Sequence, residues 1–209
     1  MEMNSNFIWK LFRNRINRNN IARLTNMNPT IISSNCIGGV IMHDLNLQFL
    51  SPTINLFIPP TDYLKMVTDL HKYMSADAHL FESDPKPGIS YPIGRLLDIE
   101  IHFMHYSTFE LAKSKWIERS KRIEWNNIFL IMTDRDGCTY ENMVQFDRLP
   151  YRKVIFTCRP YPEIKSSFVI KSSENANCVG VLSEKKNIFG KRFVDNFDYV
   201  SFLNGVDIN

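Results

Sequence analysis

The sequence predicts an α/β protein with a three-layer α/β/α arrangement, in which helices cover both faces of a mixed, largely parallel sheet. Strand patterns alternate with helix patterns through most of the chain after residue 29, the order expected when helices cover both faces of a sheet. The strongest strand pattern, residues 128–132, is continuously apolar, as expected for a strand buried on both faces. The chain has 209 residues, 44% apolar and 22% charged, which suits one well-filled domain. We therefore predict a leader over residues 1–28 and a single α/β domain over residues 29–209.

The leader is predicted to be a basic amphipathic helix. Its apolar residues recur at roughly helical intervals, at Phe7, Ile8, Leu11, Phe12, Ile16 and Ile21. Residues 1–25 contain five Lys and Arg against one Glu, whereas the other 184 residues have a formal charge of −1, so the net charge of +3 describes mainly this segment. Two interpretations stay open: the segment contacts an anionic membrane surface, or it packs against the body of the protein.

The first half of the domain contains a strand, a glycine turn and a helix, followed by further strands and a helix. Residues 30–32 are a β-branched run and precede two glycines and a helix-compatible stretch, residues 40–47. Two prolines close a second strand pattern, residues 54–58, and apolar residues at helical spacing predict a helix over residues 63–74. Residues 97–103 alternate strictly between apolar and polar residues, which predicts a strand with one polar face.

The second half of the domain continues the alternation of helices and strands. Ser107 or Thr108 is predicted to cap a helix that extends to about Trp125. Further strands are predicted at residues 128–132, 154–156, 168–170 and 179–182. Further helices are predicted at residues 140–146 and around Phe193, Phe197 and Val200. The short strands after residue 150 are candidates for an antiparallel edge of the sheet.

Ligands of open α/β sheets collect at the carboxyl ends of the strands, and the first such place is the glycine turn. Asn35, Gly38 and Gly39 are predicted to bind a phosphate or a carboxylate, because backbone N–H groups at a helix start favour an anion. The same field would lower the pKa of Cys36, and His43 lies about two helical turns further on, so a Cys/His acyl-transfer site is one hypothesis. The alternative is a buried Cys36 that serves only packing.

The second place follows the strand at residues 128–132, where Asp134 and Asp136 can share a divalent cation, Mg²⁺ or Mn²⁺. The segment is similar to the Asp-x-Asp-Gly-Thr opening of haloacid-dehalogenase-type phosphatases. Thr157 ends the next predicted strand, which is where the second motif of those phosphatases lies. Cys138 departs from that pattern, which has Thr or Val at this position. The alternative is a polar turn in which one of the two Asp residues caps the next helix.

The third place is the polar face of the strand predicted over residues 97–103, which consists of Asp98, Glu100 and His102. His102 and His105 are predicted to be catalytic, because they lie near the strand end and can act as acids or bases. Side chains two residues apart project on one side of a strand, so the same face could bind a metal. The alternative is the solvated face of an edge strand.

Several blocks of the sequence resemble a bacterial family of unknown function that is often labelled "exopolysaccharide biosynthesis protein". The blocks are PTIISSNCIGG (29–39), HDL (43–45), FLSPTINL (49–56), YPIG (91–94), HFMHY (102–106) and TDRDG (133–137). The resemblance extends from about Pro29 to at least Tyr161. It implies a cytoplasmic protein of capsule or exopolysaccharide synthesis with an α/β/α layered domain, and it supplies no catalytic residues.

Motif spacing and charge disfavour two other kinds of site. The four cysteines lack a Cys-x-x-Cys pair and a His partner at zinc-finger spacing, so structural zinc is not predicted. Nucleic-acid binding is not predicted, because basic residues of the helix before Trp125 alternate with Glu110, Glu118 and Glu124. No secretory signal is recognised and no apolar run reaches about 18 residues. We expect a cytoplasmic protein, with peripheral contact at the inner face of the membrane through residues 1–25.

Together these patterns predict an enzyme of surface-polysaccharide assembly, a transferase that acts on a sugar or nucleotide-sugar. In this hypothesis the glycine turn binds a phosphate, Asp134 and Asp136 bind a cation or sugar hydroxyls, and one of the histidines moves a proton. Two alternatives stay open. The first is a Mg²⁺-dependent phosphohydrolase with Asp134 as nucleophile, and the second is a non-catalytic accessory factor of membrane-bound polysaccharide machinery.

Overall fold

The computed structural model describes residues 5–75, 79–170 and 177–206. The helices are α1 (Ser5–Arg23), α2 (Ile37–Asp44), α3 (Pro60–Thr68), α4 (Leu70–Met74), α5 (Phe109–Ser120), α6 (Tyr140–Asp147) and α7 (Tyr199–Leu203). The strands are β1 (Thr30–Ser33), β2 (Leu80–Glu82), β3 (Ile93–Leu96), β4 (Ile99–His102), β5 (Ile128–Thr133), β6 (Arg152–Thr157) and β7 (Ser167–Val169). A 3₁₀ helix, Phe193–Asn196, precedes α7.

The main sheet is parallel and has the strand order β1-β5-β6-β7. Parallel strands with helices between them confirm the predicted α/β class. The prediction of an antiparallel edge after residue 150 is wrong, because β7 runs parallel to β6. Residues 179–182 form no strand, since the N–H of Val179 donates to the carboxylate of Asp134 at 2.7 Å instead of to a neighbouring strand.

The parallel sheet separates two hydrophobic cores. Successive side chains of a strand point to opposite faces, and on one face Ile32 and Leu130 pack with residues of α3, α4, α5 and α6. On the other face Ile31 and Phe129 pack with residues of α2 and α7. None of these four side chains is more than 3% exposed, and the helices on both faces complete three layers.

A separate antiparallel sheet contains the strands in the order β2-β3-β4. The strand predicted over residues 97–103 is present with narrower bounds, as β4 (Ile99–His102). The chain turns at Leu97, which has a φ of +56°, and β3 pairs with β4 as a hairpin. The alternation of apolar and polar residues continues through the turn, and no glycine marks it. As a result Asp98 lies in the turn, whereas Glu100 and His102 remain on β4.

The strand predicted over residues 54–58 is also wrong. Phe57 forms only an isolated antiparallel bridge with His102, and the N–H of Ile58 donates to the carbonyl of Ser34 at 2.9 Å. The segment crosses from the end of β1 to β4, so it cannot pair along its length with either strand. The segment therefore connects the parallel sheet directly to the antiparallel sheet.

Two predicted helices have different bounds. The stretch predicted as one helix over residues 63–74 is divided into α3 and α4 at Asp69, whose φ of −135° is not helical. The side chain of Asp69 caps α4 by accepting the N–H of Lys72 at 3.3 Å, which fits its short polar side chain. Thr108 caps α5 as predicted, but α5 ends at Ser120, earlier than predicted.

Helix α2 begins and ends three residues earlier than predicted. Asn46, with a φ of +54°, follows its last turn in the left-handed conformation. The N–H of Asn46 donates to the carbonyl of His43, and the N–H of Leu47 donates to that of Met42. This pair of bonds is a Schellman motif, in which Asn takes the place of the usual Gly.

The helix predicted in the leader is present as α1, and it packs on the body through buried charge. Arg13 is 3% exposed and donates to Asp44 at 2.9 Å and to Asp195 at 2.6 Å. Asn20 donates to the hydroxyl of Tyr199 at 2.8 Å. Buried charges require close partners to replace their hydration, so these contacts fix which side of α1 faces the body. Over the described ranges, no helix is both long and apolar enough to cross a bilayer.

Candidate functional site

The carboxyl ends of β1 and β5 meet, as the sequence predicts. The side-chain amide of Asn35 donates to the hydroxyl of Thr133 at 3.0 Å. The side-chain oxygen of Asn35 accepts the N–H of Ile37 at 3.1 Å, at the start of α2. Asn35 therefore ties the beginning of α2 to the end of β5, and both of its polar atoms are used inside the protein.

The two glycines of the turn lie in a close contact between helix and strand. A Cβ atom on Gly38 would be 2.8 Å from Cβ of Ser33 and 3.0 Å from Cγ2 of Ile31, and one on Gly39 would be 3.3 Å from Cγ2 of Ile54. Both glycines are buried. The close approach of α2 to β1 explains the absence of a side chain at Gly38, and the contact with Ile54 leaves little room for one at Gly39. Their role in binding a phosphate stays a prediction.

Cys36 is half-buried, and its thiol donates to the carbonyl of Leu56 at 3.6 Å. Burial raises the pKa of Cys36 and outweighs a backbone hydrogen bond that lowers it, so the expectation of a lowered pKa is wrong. His43 lies at the other end of α2, with its side chain 81% exposed and 3.8 Å from Asp44. The structure does not bring Cys36 and His43 together as an acyl-transfer pair.

Asp134 has a buried carboxylate that holds two segments of backbone. One oxygen accepts the N–H of Cys158 and the other accepts the N–H of Val179, each at 2.7 Å. Asp136 is exposed in a turn with a φ of +59°, and its carboxylate is 3.8 Å from Arg135 Nε. In the part of the chain that the structure describes, no group of three or more His, Cys, Asp or Glu could hold a metal ion. Metal binding by the two Asp residues stays a prediction.

The second group of polar side chains lies on the antiparallel sheet and forms a series of hydrogen bonds. The Nε2 of His102 is 2.7 Å from the carboxylate of Glu100, and its Nδ1 is 3.3 Å from the hydroxyl of Tyr91. Lys86 donates to both oxygens of Glu100, at 2.6 and 2.7 Å. The ring of His102 is 8% exposed and packs against Phe57, with 5.3 Å between the centroids. We call Tyr91, His102 and Glu100 the β4 relay.

The protonation of the β4 relay follows from its charges. Burial raises the pKa of Glu100, but the hydrogen bonds from Lys86 and His102 outweigh that effect and hold the pKa below its ordinary value. Glu100 is therefore a carboxylate, an acceptor-only group, and it accepts a hydrogen bond from Nε2–H of His102. In the tautomer that carries its single proton on Nε2, Nδ1 accepts a hydrogen bond from the hydroxyl of Tyr91. A carboxylate that orients an imidazole toward a hydroxyl makes the imidazole a base.

Tyr91 connects the β4 relay to a cavity. The cavity has a volume of about 360 Å³ and lies beside the beginning of α5, where Ser107 and Thr108 also line it. This volume is within the range of small-molecule sites. His105, the other predicted catalytic histidine, is exposed in the loop that leads to Ser107, and its N–H donates to the carbonyl of Asn55 at 3.4 Å.

The connecting segment, residues 54–58, contacts both groups of predicted residues. Its Leu56 accepts from Cys36, and its Phe57 pairs with His102. No pattern in the sequence predicts a role for Tyr91 or Lys86. Their place beside His102 and Glu100 depends on the turn at residue 97, which folds β3 onto β4, and no local pattern in the sequence reveals that turn.

Comparison with known proteins gives a family and a relative. The family described as "Domain of unknown function (DUF1919)" matches residues 7–204, and the chain therefore belongs to this family. It is also 43% identical over 190 residues to an "Uncharacterized protein" of Haemophilus influenzae (strain ATCC 51907 / DSM 11121 / KW20 / Rd), an alignment that covers 90% of each chain. The predicted membership of a bacterial family of unknown function is confirmed, and the polysaccharide label remains a matter for proposal.

Proposed function

We propose that this member of a family of unknown function is a transferase that modifies a sugar or nucleotide-sugar in capsule or exopolysaccharide synthesis. The β4 relay carries the proposal, because a carboxylate, an imidazole and a hydroxyl in series form a general base. The cavity lined by Tyr91 is large enough for a sugar. The resemblance of the sequence blocks to proteins labelled for exopolysaccharide synthesis favours a sugar hydroxyl as the acceptor.

The proton path follows the hydrogen bonds of the β4 relay. A sugar hydroxyl in the cavity gives its proton to the oxygen of Tyr91, while the proton of Tyr91 passes to Nδ1 of His102. The sugar oxygen then forms a bond to the transferred group, and the leaving group departs with its bonding electrons. Glu100 stabilises the imidazolium that forms, and general-base catalysis of this kind contributes roughly 10²–10⁴-fold to the rate.

The phosphohydrolase alternative has less support. Its nucleophile would be Asp134, whose two oxygens each accept a backbone N–H at 2.7 Å. These bonds fix the direction of the carboxylate and stabilise its negative charge, which makes it a poorer nucleophile. The β4 relay, by contrast, includes Tyr91, which lines a cavity.

The test combines a ligand screen with conservative substitutions in the β4 relay. Nucleotide-sugars and acyl-CoA donors are incubated with sugar acceptors, and products are detected by mass spectrometry. We expect Tyr91→Phe and His102→Asn to lower turnover by roughly 10²–10⁴-fold, because each removes one step of the proton path. Sugar binding, measured by ligand-observed NMR, should persist in Tyr91→Phe because only one oxygen atom is lost.

A matched control is His43→Asn, which changes an exposed histidine outside the β4 relay and should leave turnover unchanged. The proposal is wrong if Tyr91→Phe retains full turnover of the sugar acceptor, or if no sugar or nucleotide-sugar binds the wild-type protein. Loss of turnover in Asp134→Asn alone, with the β4 relay variants fully active, would instead favour the phosphohydrolase.

A further inference from the structure

Exposed apolar side chains from two distant parts of the chain meet on the outer side of α1. Phe7 and Leu11 of α1 are 54% and 53% exposed, and Ile188 and Phe189 are 59% and 58% exposed. The ring of Phe12 contacts that of Phe189 edge to face, with 5.6 Å between the centroids. Single exposed apolar residues are ordinary, but a group of this kind marks an interaction surface. We call these five residues the α1 patch.

The α1 patch is held in place by the body of the protein. Gly190 follows Phe189 with a φ of +78°, and a Cβ atom there would be 2.4 Å from the backbone nitrogen of Arg13. Only glycine permits this approach of the loop to α1. The guanidinium of Arg13 donates to the carbonyl of Gly190 at 3.4 Å and also binds Asp44 and Asp195. The exposure of the α1 patch is therefore a property of the folded protein and not of a frayed end.

The surroundings of the α1 patch are basic. Exposed cationic side chains lie on the outer side of α1 and on the neighbouring loop, at Lys10, Arg15, Arg18, Lys186 and Lys191. Three carboxylates near α1 are paired among the described residues, Asp44 and Asp195 with Arg13, and Asp198 with Arg23. Glu184 is an exposed acid on the loop side. The outer surface of α1 therefore presents apolar rings within a predominantly positive field.

We propose that the α1 patch docks on the surface of an anionic lipid bilayer. The rings of the patch enter the boundary between headgroups and acyl chains, and the flanking Lys and Arg side chains bind headgroup phosphates. A second copy of the chain is a poorer occupant, because two positively charged faces repel each other. Nucleic acid would bind the charges but would leave the apolar rings in water. Helix α1 lies in the plane of the interface in this arrangement.

Vesicle co-sedimentation of the full chain tests the proposal. We expect binding to vesicles of phosphatidylglycerol and phosphatidylethanolamine, and none to vesicles of pure phosphatidylcholine. The triple variant Phe7→Ser, Leu11→Ser, Phe189→Ser should bind more than about tenfold more weakly, because it removes the apolar contact. All three side chains are more than half exposed, so the fold should be retained, which far-UV circular dichroism checks.

The matched apolar control is the triple variant Phe81→Ser, Met104→Ser, Leu111→Ser, whose side chains are 59%, 41% and 45% exposed. Residues of β2 and α5 belong to the core on the other face of the parallel sheet, so binding should be unchanged. The charge variant Lys10→Gln, Arg15→Gln, Arg18→Gln should lose affinity by about fivefold per residue. Its control is Lys72→Gln, Lys121→Gln, Arg148→Gln, which makes the same charge change elsewhere.

Three results would overturn the proposal. The first is a wild-type protein that binds neither kind of vesicle or binds both equally. The second is a control variant that loses as much affinity as the corresponding patch variant. The third is a dimer, measured by analytical ultracentrifugation, that the serine variant of the α1 patch converts to a monomer, because a second copy would then be the occupant.

Discussion

The carboxyl edge of the parallel sheet and the β4 relay contain similar residue types but connect them differently. At the parallel edge, Asn35 and Asp134 bind backbone N–H groups, at Ile37 in the first case and at Cys158 and Val179 in the second. In the β4 relay, the carboxylate, imidazole and hydroxyl bind one another. The first arrangement fixes the path of the chain, and the second can pass a proton.

The role of a polar residue at a strand end therefore depends on its hydrogen-bond partners. A carboxylate that accepts two backbone N–H groups stabilises a loop, and removing it leaves buried donors without partners. A carboxylate that holds an imidazole changes the basicity and direction of that imidazole. The two regions are thus distinguished by the partners of Asp134 and Glu100 and not by residue type.

The largest expected effect comes from Asp134→Asn. The amide nitrogen would face one of the two backbone N–H groups that the carboxylate now accepts, so one donor loses its partner in a buried place. We expect the free energy of unfolding to fall by about 2 kcal/mol, measured by urea denaturation. Turnover by any protein that remains folded should be unchanged, because the residue supports the loop and not the chemistry.

Asp136→Asn provides the matched control for this prediction. Asp136 is exposed at a φ of +59°, a conformation that Asn also adopts readily. Its free energy of unfolding should change by less than about 0.5 kcal/mol. Equal losses of stability in both variants, or a loss of turnover without a loss of stability in Asp134→Asn, would break the distinction between the two regions.

Most of the parallel sheet could be predicted from the sequence. The apolar runs of β5 and β6 and the β-branched run of β1 identify the strands, because a strand covered on both faces has a near-continuous apolar run. The sequence also predicts the cap of α5 at Thr108. In the structure its side chain accepts the N–H of Leu111, as the side chain of an N-cap residue does. Local composition was sufficient for these elements.

The antiparallel sheet was less predictable. Leu97 turns the chain in a left-handed conformation that bulky residues seldom adopt, so the alternating pattern concealed the hairpin. His102 was identified as a site candidate, but its partner Tyr91 depends on the pairing of Ile93 with His102. The packing of Gly38 against Ser33 was equally hidden, because a glycine needed for close approach and one needed for an anion look alike in the sequence.

A smaller effect is expected on the pH dependence of the free energy of unfolding when Glu100 is replaced by Gln. The pKa of Glu100 is lowered in the folded protein, so its stabilising contribution is present above the unfolded-state pKa of about 4.3. This contribution is lost as the pH falls through the folded-state pKa. At pH 7 we expect Glu100→Gln to be less stable than the wild type by less than about 1 kcal/mol, and the difference should shrink as the solution is acidified below the unfolded-state pKa.

Urea denaturation of both proteins across this range measures that difference directly. Other carboxylates titrate in both proteins, so only the gap between the two curves reports on Glu100. A gap that stays constant down to the lowest pH would mean that the carboxylate charge does not hold His102. The assignment of Nδ1 as the acceptor from Tyr91 would then fail with it.

The smallest effect is expected at Cys36, which contacts the connecting segment. Its thiol donates to the carbonyl of Leu56, and burial raises its pKa, so little thiolate is present at neutral pH. We expect Cys36→Ala to leave turnover unchanged and to lower the free energy of unfolding by about 0.5 kcal/mol, because a thiol is a weak hydrogen-bond donor. Alkylation of Cys36 by iodoacetamide, followed by peptide mass spectrometry, should be slower than that of a thiol in the urea-unfolded chain at the same pH. Faster alkylation in the folded protein, together with loss of turnover in Cys36→Ala, would contradict this prediction. The carboxyl edge of the parallel sheet would then be a second reactive site.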